Sequence, residues 1–213
     1  MKIVVCVKQV NEEIYPFDAC ALECALRIEN AEVTVISMGI PQVSKLLTSL
    51  TRFGIHRAIL LTDPAFAGSD TLATSYVLAQ AIRKLNPDLV FCGRQSIDGD
   101  TAQVGPCLSQ MLGFSLITNV MEIKSIVKEN KSEEVRPEEI RPEESRTKES
   151  RPEEAGITCI SRMGEESVSL PALITIERIN TLRFPSIRAK TKKVEIWSSR
   201  DISADKTKCG LAG

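Results

Sequence analysis

Seven cysteines, one histidine and a glycine-bracketed acidic loop are the residues whose types and spacing could carry chemistry. Cys20 and Cys24 lie four apart, so on a helix their thiols share a face and would make half of a metal site. No second pair at matching spacing accompanies them, and no Cys-x-x-Cys occurs. Cysteines 6, 20, 24, 92, 107, 159 and 209 therefore read as small apolar side chains kept as free thiols. His56, at the start of a strand in GIHRAIL, has no nucleophile or acid beside it and reads as structural. The G-x-G-x-x-G, G-x-x-x-x-G-K-[ST] and G-x-S-x-G fingerprints are absent, and one histidine without partners excludes a hydrolytic triad. What remains is SIDGDTAQVG, in which Gly99 and Gly105 bracket Asp100-Thr101-Ala102-Gln103-Val104. Thr101 can cap a following helix, whose free N–H groups and positive dipole end would seat a phosphate. Taken alone, the same residues are equally a capped helix after a polar turn. The set points to a nucleotide binder with little acid–base equipment, one that holds a cofactor which does the chemistry.

Composition bounds the scaffold that must position these residues. Folding a chain of 213 residues buries about 70% of its extended surface, enough for one sizeable domain with an appendage. Lys and Arg number 27 against 28 Asp and Glu, a net charge of −1 that does not suit a nucleic-acid binder as a whole. No apolar run approaches the ~18 residues of a membrane span. The start, MKIVVCVKQV, lacks the longer apolar stretch and cleavage site of a signal peptide, so the expected address is cytoplasmic.

Residues 2–7, KIVVCV, are a continuous β-branched run, the mark of a strand buried on both faces. An amphipathic helix is expected over about 18–29 with Asp18 as its N-cap, then a strand over 32–37 that breaks at Met38-Gly39-Ile40-Pro41. A helix over about 43–53 ends at Gly54, and a strand follows at 58–61. Ser69 or Asp70 caps a helix to about Leu85, stopped by Asn86-Pro87; a strand at 88–93 and a helix over about 102–112 complete the series. This alternation predicts an α/β, doubly wound, mainly parallel sheet covered on both faces. In such a sheet ligands sit at the carboxyl ends of the strands. Here those ends are Cys6-Val7-Lys8-Gln9, Ser37-Met38-Gly39 and Gly93-Arg94-Gln95.

Beyond Gly113 the pattern changes. Strands are expected at 119–127 and 157–161, with a third inside 168–177 interrupted by Pro171. Between them runs a period-five repeat, EEVRP-EEIRP-EESRT-KESRP, and 17 of the 27 residues over 128–154 are charged. Its prolines and lack of apolar side chains read as a solvated, disordered hairpin extension, with a specific binding arm as the alternative. Residues 178–208 hold nine Lys and Arg against three acids. Without the aromatic interleaving of a base-stacking surface, that segment reads as an arm for a partner protein.

Six motifs, in order, resemble the β subunit of electron-transfer flavoprotein: VVCVKQV, PFDACALECALR, VISMGIP, DLVFCGRQSIDGDTAQVGP, LPALITI and INTLRFPSIRAKTKK. The resemblance spans roughly residues 1–125 and 157–197. It implies a Rossmann-like adenine-nucleotide-binding domain that forms a heterodimer with an FAD-carrying α subunit. Such a heterodimer carries electrons between a flavin dehydrogenase and a downstream acceptor, without bond chemistry of its own. The β subunit itself holds AMP, or FAD in the electron-bifurcating branch. The wording DGDTAQVGP is closer to the bacterial and archaeal bifurcating or nitrogen-fixation-type branch, which favours FAD. Carried over by position, the nucleotide contacts are Cys6, Val7, Lys8, Tyr15, Pro16, Phe17, Asp18 and Met38. They continue through Gly93, Arg94, Gln95, Ser96, Ile97, Asp98, Gly99, Asp100, Thr101, Ala102, Gln103 and Val104. The phosphates would meet the helix starting near Thr101, with Asp98 and Asp100 turned away from them.

The resemblance also implies partner contacts at Leu182, Phe184, Ile187, Arg188 and Lys190, with Leu182 or Ile187 as the apolar anchor for the dehydrogenase. The alternative for the apolar residues is that Phe184 and Ile187 pack on the chain's own sheet. Two departures from the family lie at the nucleotide's edge: a short loop between Lys8 and Pro16, and Tyr15 where Asn is usual. The expected division is a nucleotide-binding core at 1–127, a charged insertion at 128–156, completing strands at 157–177 and a basic partner-binding arm and tail at 178–213. A competing reading is a stand-alone adenine-nucleotide-binding regulator similar to universal stress proteins. The adenylating ATP-pyrophosphatase type is excluded by the absence of its Ser-Gly-Gly-x-Asp-Ser loop.

Overall fold

Along the first strand, β1 (Lys2–Cys6), Ile3 and Val5 face one side of the sheet and Val4 and Cys6 the other, and all are buried. Apolar residues at consecutive positions require cover on both faces. The structure, a computed structural model that describes residues 1–95, 101–127, 155–177 and 180–213, supplies that cover. Helices α1 (Pro16–Arg27) and α2 (Ser44–Leu50) pack on the Ile3/Val5 face; α3 (Thr71–Leu85) and α4 (Val104–Leu112) pack on the Val4/Cys6 face.

After β1 comes a two-stranded ribbon, β2 (Gln9–Val10) with β3 (Glu13–Ile14). The main strands follow as β4 (Glu32–Met38), β5 (Arg57–Leu61), β6 (Leu89–Gly93), β7 (Ser115–Val127), β8 (Gly156–Ser161), β9 (Gly164–Ser169), β10 (Ala172–Ile176) and β11 (Glu195–Trp197). Among the described residues they form, with β1, a nine-stranded sheet in the order β11-β5-β4-β1-β6-β10-β7-β8-β9. Pairing is parallel from β11 to β7 and antiparallel through the β8–β9 hairpin. The chain winds outward from β1 through β4 to β5, then returns to place β6 on the other side of β1. The fold is therefore α/β and Rossmann-like, and the strand order reverses between β1 and β6.

Several local expectations are corrected. Helix α1 begins at Pro16 with Tyr15 at the cap position, and Asp18 lies in the first turn. The Asp18 carboxylate does not cap its own helix because it takes backbone N–H groups from outside it. The helix expected at 43–53 is a 3-10 turn (Pro41–Val43), α2, and a second 3-10 turn (Thr51–Phe53) ending at Gly54 with φ +94°. Helix α4 starts at Val104 instead of 102, because Ala102 is left-handed at φ +53° and cannot be helical. Thr101 is therefore no helix cap; its Oγ1 accepts the Gln103 N–H at 3.3 Å. Strand β7 begins at Ser115 and is kinked by Asn119 at φ +55°. The third late strand divides at Pro171 into β9 and β10, which lie in different parts of the sheet. The basic tail also returns to the sheet: β11 pairs with β5, and Arg57 donates Nε and Nη2 to Glu195 at 2.8 and 2.9 Å. The charged repeat lies outside the described residues.

Candidate functional site

A cavity of about 500 Å³ opens where the strand order reverses, at the carboxyl ends of β1, β4 and β6. That is where open α/β sheets bind ligands, and the volume suits a small organic molecule. Its floor is apolar: Cys6 and Cys92 from β1 and β6, Met38 from β4, and Leu78 from α3. Polar groups ring the floor, with Val7 and Lys8 after β1, Gly93-Arg94-Gln95 after β6, and Thr101 through Gly105 leading into α4. Val104 and Gly105 are first-turn residues of α4, whose N–H groups have no acceptor within the helix.

The structure thus gathers Cys6, Val7, Lys8, Asp18, Met38, Gly93, Arg94, Gln95, Thr101, Ala102, Gln103 and Val104 around one cavity. Tyr15, Pro16 and Phe17 do not line it. They form the start of α1, where the Tyr15 and Phe17 rings stack at 5.9 Å. Ser96, Ile97, Asp98, Gly99 and Asp100 lie outside the described residues, and with them the expected orientation of the two aspartates. Sequence reasoning missed a fourth wall, Ser69, Asp70, Thr71 and Thr74 at the start of α3. Asp70 caps that helix by accepting the Ala73 N–H at 2.8 Å, and Thr71 and Thr74 line the cavity beside it.

Two glycines explain how closely these elements meet. A Cβ on Gly93 would collide with Asp18 Oδ1 and lie 2.8 Å from both Asp18 N and Phe17 Cβ. A Cβ on Gly105 would lie 2.5 Å from Thr175 Cγ2 of β10. Through the first approach Asp18 ties the floor together: Oδ2 accepts the Lys8 N–H at 2.7 Å and Oδ1 the Gly93 N–H at 3.1 Å. Burial pushes the Asp18 carboxyl up from 3.8 to about 7, although those two N–H groups and the Lys8 charge oppose the shift. A hydrogen bond with Cys92, then burial, raises the Cys6 thiol well above its usual range, so Cys6 meets the cavity as a neutral thiol.

The Asp18 shift has a testable consequence. Between pH 3.8 and about 7 the folded chain holds a proton at Asp18 that the unfolded chain releases. Stability therefore falls as pH rises through that interval and levels off above it. Asp18→Asn is expected to be less stable at pH 5 through loss of one acceptor, and to lack the slope. Thermal melts from pH 4.5 to 8 check this, and parallel wild-type and variant profiles would assign the slope to another group.

The C-terminal arm crosses the α1/α2 face and is pinned along its length. Cys20 Sγ donates to Asn180 O at 2.8 Å. Arg183 donates its N–H and Nε to Glu23 Oε2 at 3.1 and 2.9 Å and Nη2 to Oε1 at 3.1 Å, while Arg27 Nε donates to Oε1 at 2.8 Å. Ser186 N–H donates to Arg52 O, and Lys192 N–H to Thr51 Oγ1, each at 3.0 Å. Burial would raise the Glu23 carboxyl, but the two arginines outweigh it and hold it at about 2. Leu182 packs against the core, whereas Phe184 and Ile187 are 96% and 93% exposed, so they do not fold back onto the sheet. Arg188 and Lys190 are exposed beside them. His56 serves the sheet, its Nδ1 accepting the Val33 N–H at 3.1 Å.

The sequence profile of the electron transfer flavoprotein domain matches residues 3–202. Protein FixA of Azorhizobium caulinodans is 38% identical over 247 aligned residues, covering 100% of this chain and 81% of that protein. The electron transfer flavoprotein subunit beta of Clostridium acetobutylicum is 37% identical over 241, covering 100% and 84%. The subunit of that name from Megasphaera elsdenii is 34% identical over 255, covering 100% and 84%.

Proposed function

The chain belongs to the electron-transfer flavoprotein β-subunit family, of the FixA type, and on that premise we propose that it is the nucleotide-holding half of a two-subunit electron carrier. It pairs with an FAD-carrying α subunit and passes electrons from a flavin dehydrogenase to a downstream acceptor. The cavity at the strand reversal is the single observation that carries this reading, since family motifs from four separated segments line it. Cys6, Met38, Leu78 and Cys92 make an apolar floor for a flat heterocycle, and Thr71 and Thr74 offer hydroxyls to a ribose. The first turn of α4 and Arg94 suit a phosphate. These residues fit FAD, which the FixA-type wording favours, and fit AMP as well. Bound flavin would supply the redox chemistry; the chain's own part is to hold and orient it. Seven free cysteines accord with a reducing cytoplasm. No helix among the described residues is long and apolar enough to cross a membrane.

Phe184 and Ile187, held outward by a pinned arm, make the partner-docking surface, with Arg188 and Lys190 steering encounter. Leu182 holds the arm from within. The test is co-expression with an α subunit, followed by flavin spectroscopy and nucleotide extraction. Two flavins per heterodimer give FAD in this chain, and one flavin with AMP gives the ordinary carrier. A colourless chain that never associates would overturn the reading in favour of a stand-alone regulator.

A further inference from the structure

One rung of hydrogen-bonded partners runs across four strands: Gly93 of β6, Ile176 of β10, Val120 of β7 and Ser161 of β8. A charged residue follows three of them in sequence. These are Arg94, Glu177 and Arg162, and the register brings all three to one point. Glu177 Oε1 accepts Arg94 Nη1 at 2.7 Å and lies 3.0 Å from Arg162 Nη2. Backbone bonds fix both ends of the first pair, with Arg94 N–H on Ile176 O at 3.0 Å and Glu177 N–H on Val120 O at 2.9 Å. The Glu177 side chain is 10% exposed, against 30% for Arg94, which lines the cavity, and 57% for Arg162 at the β8–β9 turn.

Two guanidinium groups on one buried carboxylate leave the cluster one positive charge in excess, and Arg94 carries that excess to the cavity. A guanidinium has five N–H donors, so its bond to Glu177 fixes its direction without exhausting it. We propose that Glu177 is a positioning residue that sets the charge selectivity of the cavity: it aims Arg94 at the phosphate end of a nucleotide. Arg162 offsets the Glu177 charge, so that Arg94 is oriented by the carboxylate but not neutralised by it. The inference rests on the nucleotide reading and adds the residue that makes the site prefer a phosphorylated ligand to a bare nucleoside.

Calorimetric titration of the nucleotide-stripped full chain with AMP and with adenosine tests it. Wild type is expected to bind AMP more tightly than adenosine. Glu177→Gln and Arg94→Gln should each weaken AMP by about tenfold while leaving adenosine within about twofold, as loss of a charge-assisted contact to phosphate would do. The double variant should be no worse than either single one, because both changes remove the same contact. Arg94→Lys should recover only part of the AMP preference, since a point charge lacks the fork that Glu177 orients. Equal losses for AMP and adenosine would make Glu177 merely structural, and unchanged binding of both would remove it from the site; either result sinks the proposal. A wild-type chain that binds neither probe overturns the nucleotide reading itself, an outcome distinct from both.

Discussion

Gly93→Ala is expected to strip the chain of the proposed nucleotide and lower its melting temperature by roughly 6–12 °C. The added methyl has no place to go: Asp18 and Phe17 crowd the position from the first turn of α1, and the nearest groups include the Asp18 backbone N at 2.8 Å. Relief requires α1 and the end of β6 to separate, which breaks the Asp18 bonds to Gly93 and Lys8. Overpacking and the lost bonds together cost about 3 kcal/mol, and a domain of this size loses about 2–4 °C per kcal/mol. The same movement opens the cavity floor at Lys8 and Gly93, so nucleotide content should fall well beyond tenfold. Calorimetry and nucleotide extraction read the two effects separately. A variant that melts and loads like wild type would show that the two elements can part without cost. Gly105→Ala provides a second case, because its nearest obstacle is the methyl of Thr175, a β-branched side chain that is buried and held by the Asn119 N–H at 3.0 Å.

Glu23→Gln is expected to release the arm and slow electron transfer from the proposed partner dehydrogenase by about tenfold, the scale on which loss of a presented anchor acts. Glu23 is 3% exposed and receives Arg183 through three hydrogen bonds; an amide keeps the shape but places an NH2 donor where one of the two carboxylate oxygens accepted, so in either orientation two of the four bonds from Arg183 and Arg27 are lost. Its carboxyl sits near 2, below the usual 4.5, so its contribution is complete above pH 4.5 and fades as pH falls toward 2. Wild type should therefore show increased proteolysis of residues 180–194 on acidification through that window, and the variant should show it already at pH 7. The paired change Phe184→Ala and Ile187→Ala should slow electron transfer equally while leaving the arm protected, since neither side chain packs on this chain. Wild-type kinetics in that pair would move the docking surface elsewhere.

The first half of the fold is legible because each element there carries a local signal. KIVVC and LVFCG are apolar on consecutive residues, EVTVISM carries four β-branched residues in a row, and Asp70, Gly54 and Asn86 mark helix ends by chemistry that acts within one turn. The start of α4 is not legible, because Ala102 has no intrinsic preference for the left-handed region in which the fold holds it. Nor is the placement of β10: ALITI announces a strand, but its partners lie far from it in sequence. The cavity floor was traceable from strand ends. Its α3 wall is not legible, although Asp70 reads as a cap, because residues 62–70, with a 3-10 turn at Pro64–Phe66, separate the end of β5 from that helix. Glu23 within the apolar face of α1 was the available signal for the arm's anchor. Glu177 and Arg162 gave none, since only the register of four strands brings them to Arg94.

Strand β10 has a bonded neighbour on each side, β6 and β7, and both precede it in the chain. Ribosomal synthesis therefore delivers two walls of a slot well before the piece that fills it. Until residues 172–176 emerge, LVFCG presents an unpaired, wholly apolar edge, and it must not zip directly onto β7. The β8–β9 hairpin, made meanwhile, occupies the far side of β7 and leaves the near side open for the incoming strand. Assembly of the sheet thus fills an interior slot after both of its walls, and until then the nascent chain exposes an apolar edge on the strand whose carboxyl end lines the cavity.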